Sequence, residues 1–115
     1  MSAEIADRLR QVQLFAGLDD ASLNLLVSNC RRRKFGAKEA LFYEGDPGHT
    51  LYVILSGQVS IQRVTADGET ISVARRGPGD QVGEMSLLDG SPRSADVITL
   101  EPTEMLMLDR ADFLR

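Results

Sequence analysis

The residues best equipped for chemistry stand in one run, Gly83-Glu84-Met85-Ser86-Leu87-Leu88-Asp89-Gly90-Ser91-Pro92-Arg93-Ser94-Ala95. Gly83 has no side chain to keep the backbone away from a ligand. Between Val82 and Leu88 strand spacing gives way to helical spacing. The first N–H groups of a helix lack intrahelical partners and carry the positive end of its dipole, so an anion settles there. Arg93 follows where the strand pattern resumes, and a guanidinium can hold a phosphate with two parallel charge-assisted hydrogen bonds that a lysine does not reproduce. Glu84 is the oddity. A carboxylate beside a bound phosphate repels it unless it has a task of its own, such as accepting a hydrogen bond from a ribose hydroxyl. The run therefore suits one anionic group that also carries hydroxyls, as a sugar phosphate does. Taken singly, each residue has an ordinary explanation: Gly83 a turn, Glu84 a first-turn acid favoured by the helix dipole, Arg93 its surface partner. The combination is what points to a ligand.

The elements that must position this run change period once, near Arg31. Before it, Ile5, Leu9 and Val12 recur at helical spacing, Leu14 to Leu18 forms an apolar corner, and Asp19 or Asp20 caps a second helix carrying Leu23, Leu26, Val27 and Cys30. After it, short strands alternate with tight turns. Thr50 to Ser56 has apolar residues on both faces; Val59 and Ile61 follow Ser56-Gly57. Ile71 and Val73 follow Ala66-Asp67-Gly68, whose Asp-Gly is a hairpin signal. Gly45-Asp46-Pro47-Gly48 and Gly77-Pro78-Gly79-Asp80 are further turns, and Val97-Ile98 and Met105 to Leu108 supply the last two strands. Asp109 caps a helix that has barely begun at Arg115. About eight short strands at this spacing predict a mainly β fold with flanking helices, a jelly-roll-like closed β-roll around a pocket. The expected organisation is one domain over 1–115: N-terminal helices over 1–30, a β-roll over 31–109 with the phosphate cassette at 83–95, and the start of a C-terminal helix at 110–115.

Composition limits the alternatives. With 115 residues, 43% of them hydrophobic, the chain holds one core. A net charge of −4 argues against a surface that wraps nucleic acid, so DNA binding is expected only through residues outside this sequence. Cys30 is the only cysteine, which leaves no internal disulfide and no thiolate metal site, and a reducing cytoplasm is the expected setting. On an apolar helix face it reads as core rather than redox sensor. No apolar run of roughly 18 residues spans a bilayer, and the N-terminus lacks the pattern of a signal peptide. The run Arg31-Arg32-Arg33-Lys34 reads as a solvated strand edge rather than a nucleic-acid patch.

The run from Gly83 to Ala95 resembles the phosphate-binding cassette of the cyclic-nucleotide-binding domain, found in bacterial regulators of the cyclic AMP receptor protein and fumarate-nitrate regulator type, in protein kinase A regulatory subunits and in cyclic-nucleotide-gated channels. The resemblance extends over nearly the whole chain, through Leu51 to Val59 and the approach Gly77-Pro78-Gly79-Asp80-Gln81-Val82. Val82 stands where the family often has an aromatic, a difference of packing. The resemblance implies that Arg93 pairs with the exocyclic phosphate oxygens of a 3′,5′-cyclic nucleotide and that Glu84 takes the ribose 2′-hydroxyl. Backbone N–H groups around Gly83, Met85, Ser86, Ser94 and Ala95 line the phosphate, the Ser94 hydroxyl is a further donor, and Val73 and Ala74 touch the purine. Cyclic AMP is favoured over cyclic GMP, although Ser94 decides little between them. The resemblance further implies no cofactor, a regulatory rather than enzymatic role, an output domain beyond this chain that binds DNA, and dimerisation of the longer protein. A kinase, channel or transporter is the alternative setting.

Two other classes compete. A degenerate domain used for protein contacts is disfavoured by the presence of both Glu84 and Arg93. A cupin-type barrel enzyme needs two or three metal-ligating histidines, and His49 stands alone.

Overall fold

The computed structural model describes residues 17–83 and 91–109. Asp19 accepts the Ser22 amide through Oδ1 at 2.8 Å, so it is Asp19 rather than Asp20 that caps helix α1, Asp20–Asn29. Leu23 of α1 is fully buried. Cys30 follows, half-buried, its thiol donating to Val27 O at 3.1 Å; burial pushes the thiol pKa up, which keeps it protonated. The expected earlier helix at Ile5, Leu9 and Val12, the cassette helix and the C-terminal helix lie outside the described residues.

Among the described residues eight strands follow: β1 (Arg31–Phe35), β2 (Ala40–Phe42), β3 (Thr50–Ser56), β4 (Val59–Val64), β5 (Thr70–Arg76), β6 (Gln81–Val82), β7 (Asp96–Thr99) and β8 (Thr103–Asp109). They form two antiparallel four-stranded sheets, ordered β1-β8-β3-β6 and β2-β7-β4-β5. Apart from the β4–β5 hairpin, which stays within one sheet, consecutive strands alternate between sheets in the manner of a jelly roll, as the spacing of turns predicts. Between the sheets lies a core of Tyr52, Ile54, Met105 and Met107 from one and Val59 and Val97 from the other. The opposite face of β3 is buried as well, with Leu51 beside Leu108 and Val53 beside Leu106. That accounts for apolar residues at every position from Leu51 to Leu55.

The turns carry the register. Gly57 links β3 to β4 at φ 90°, and a Cβ there would lie 2.6 Å from Pro102 O and 2.7 Å from Thr103 Cα, so only glycine fits. Thr65 to Glu69 closes the β4–β5 hairpin, with Thr65 N donating to Glu69 O at 2.8 Å. One irregularity interrupts that hairpin between Ile61 and Gln62, opposite Ala74 and Ser72, and leaves Val73 as the extra residue. The basic run forms edge strand β1, where Arg31–Lys34 are all exposed, as expected of a solvated edge.

Candidate functional site

Arg93 lies just before β7 and its backbone is clamped on both sides by the turn after β2. Gly45 N donates to Arg93 O at 2.8 Å, and Arg93 N donates to Asp46 O at 2.9 Å. Asp46 is held in turn, its Oδ2 accepting the Tyr43 amide at 2.9 Å, while Asp96 Oδ1 accepts the Glu44 amide at 2.7 Å. The turn Gly45-Asp46-Pro47-Gly48 therefore does more than reverse the chain, because it fixes where the Arg93 side chain starts.

That side chain is only 4% exposed. Nη2 donates to Thr50 O at 2.8 Å and Nη1 to Gly83 O at 3.3 Å, while Nε is buried with no hydrogen-bond partner among the described residues. The guanidinium stacks over the Phe42 ring at 4.1 Å from its centroid, with the Tyr52 ring 6.0 Å away. Burial pulls the Arg93 pKa below its usual value, opposed by Tyr52 and Asp46, and an arginine so shifted remains charged at neutral pH. Among the described residues no carboxylate forms an ion pair with it. A buried cation that no described carboxylate pairs is costly, and its charge is what an anionic ligand would neutralise.

Gly83 ends β6 at φ 90°. A Cβ there would run into the Arg93 guanidinium and lie 2.9 Å from Thr50 O. Its missing side chain is thus what lets the arginine reach Gly83 O. Gly83, Arg93, Ser94 and Ala95 line one cavity of about 330 Å³, at the small end of the range for ligand pockets and sized for a single small molecule. Ala95 is buried and Ser94 exposed; the Ser94 carbonyl accepts from Arg63 Nη2 at 3.0 Å and Nε at 3.2 Å.

The structure brings those four together. Glu84, Met85 and Ser86 lie outside the described residues. Val73 and Ala74 are not among the residues that line the cavity: Val73, the extra residue of the β5 irregularity, is 56% exposed, and half-buried Ala74 sits opposite Ile61. The wall at this level is Ile61 itself, with Val97 beside it on β7. Phe42, Arg76 and Gln81 also line the cavity and were not singled out from sequence. An aromatic three residues before Gly45, and a cation directly before the turn at Gly77, were the available signals.

A two-sheet roll closed over a hollow with a buried cation in its wall defines a ligand-binding β-roll. The chain belongs to the cyclic nucleotide-binding domain family: residues 32–115 match the family's profile, described as "Cyclic nucleotide-binding domain". It is 42% identical over 101 residues to the cyclic AMP receptor protein of Thermus thermophilus, covering 88% of this chain and 47% of that protein. Among solved structures, it is similar to the regulatory domain of Toxoplasma gondii PKA with cAMP, at a TM-score of 0.94, 34% identity and coverage of 98% of this chain and 43% of that one. It is similar too to the N-terminal domain of a transcriptional regulator from Streptomyces coelicolor, at a TM-score of 0.85, 38% identity and coverage of 92% and 74%. The chain spans about half the length of the curated relatives it matches. No helix among the described residues is long and apolar enough to cross a membrane.

Proposed function

We propose that this domain binds a 3′,5′-cyclic nucleotide, cyclic AMP in preference, in the cavity beside Arg93, and acts as a regulatory module without catalysis. One observation carries the reading: Arg93 is buried, charged, stacked on a ring and unpaired by any described carboxylate, in the wall of a hollow of about 330 Å³. Arg93 takes the exocyclic phosphate oxygens and Glu84 the ribose 2′-hydroxyl. Amides of Gly83, Met85, Ser86, Ser94 and Ala95 surround the phosphate, with Ile61 and Val97 of the cavity wall on the base side. Cyclic AMP is favoured because the Thermus relative is named for it and the Toxoplasma domain was solved with it.

Binding here is transmitted to an output domain outside these 115 residues. A ligand shifts a conformational equilibrium only by its differential affinity for two states, so the cassette must move between them. The output in this reading is DNA binding by a dimeric, cytoplasmic regulator, and the Streptomyces neighbour, a domain of a transcriptional regulator, supports its transcriptional part. The closeness of the Toxoplasma domain supports kinase regulation as the second reading. Isothermal titration with cyclic AMP and cyclic GMP, on this chain and on a version extended through the next helix, tests the binding. Micromolar or tighter uptake of cyclic AMP supports it, and no heat with either nucleotide on either version contradicts it.

A further inference from the structure

We infer that Phe42 is a positioning residue for the ligand phosphate, its ring serving Arg93 as the platform that a carboxylate would otherwise provide. This role rests on the cyclic-nucleotide reading of the cavity.

A buried guanidinium needs partners, and the kind of partner decides what else it can bind. A carboxylate would neutralise its charge and occupy the in-plane N–H donors that a phosphate needs. An aromatic face attracts the cation through its quadrupole from above the plane, leaving both charge and in-plane donors available. Arg93 has the second arrangement. Its carbon centre lies 4.1 Å from the Phe42 centroid, and among the described residues its two Nη groups reach only neutral carbonyls and Nε has no hydrogen-bond partner. Phe42 in turn is fixed rather than loose. It ends β2 paired with Val97 across an irregular register, lines the same cavity as Arg93, and tilts at 41° against Tyr52 with centroids 6.0 Å apart. The ring thus sets the plane in which the guanidinium presents its donors.

The test replaces Phe42 with 4-fluoro-, 3,5-difluoro- and 3,4,5-trifluorophenylalanine in the full chain and titrates each with cyclic AMP. Fluorine drains the ring face of negative potential while leaving its size and apolar character nearly intact, so a purely structural role would not respond in steps. Affinity is expected to fall progressively, reaching roughly 5- to 30-fold at three fluorines, with melting temperature held. The same series at Phe35, which sits 4.6 Å under Arg33 and outside this cavity, is expected to leave affinity unchanged. Wild-type binding with a flat Phe42 series, or equal losses at Phe35, would overturn the role and leave the ligand reading standing. Wild-type protein that took up no cyclic nucleotide would overturn both.

Discussion

The β1–β8 edge and the cavity both hold arginines, and they treat them in opposite ways. At the edge, Arg31 and Arg32 have side chains 59% and 40% exposed and lie 3.0 Å from Asp109 and Glu104. In the cavity, Arg93 is 4% exposed and meets two carbonyls and a ring. Water already solvates the edge cations, so their ion pairs add little. Arg93 has lost that solvation without gaining a described carboxylate, so its charge stays open to a ligand. Position in the fold, more than residue type, separates a buried arginine stacked on a ring from one that stays solvated on an edge strand.

The sharpest way to break this contrast is Arg93→Ala. It is expected to weaken cyclic nucleotide binding by about 2–4 kcal/mol, seen as a ~30- to ~1,000-fold rise in Kd by calorimetry. Gly83→Ala and Gly57→Ala form a matched pair, since both glycines sit at φ 90° against backbone atoms. Each is expected to lose about 1–3 kcal/mol of stability in urea unfolding. Only Gly83→Ala should also lower affinity, because only there does the new methyl displace Arg93. Glu84→Gln should cost about 1–2 kcal/mol of binding, as one acceptor oxygen remains. At the edge, Arg31→Ala should change stability by under about 1 kcal/mol and leave ligand affinity alone.

The smallest effect sits at the cap of α1. The Ser22 hydrogen bond holds the Asp19 carboxyl below its ordinary 3.8, so its contribution is present above that value and lost as pH falls through the lower folded-state pKa. Asp19→Ala should lower the melting temperature slightly at neutral pH, and the gap should close on acidification below 3.8.

What the sequence disclosed divides along the same line. Alternation, Asp67-Gly68 and the glycine turns disclosed the strands, because each is a local rule, and the motif spacing brought Gly83 and Arg93 together. The partners of Arg93 were not legible, since Phe42, Thr50 and the Gly45–Asp46 clamp lie more than 40 positions earlier and meet it only through the jelly-roll crossover. Val73 eluded the reading for a different reason. A single extra residue in β5 alters which side chains face inward, and no local pattern in Thr70 to Arg76 announces it.

The central claim, that the Arg93 guanidinium is the cation that receives the ligand, is tested most directly by following its Nε–H resonance in arginine-labelled protein as cyclic AMP is added. A large shift with slowed solvent exchange at saturation is the expected result. Saturable binding of cyclic AMP with that resonance unmoved would contradict it.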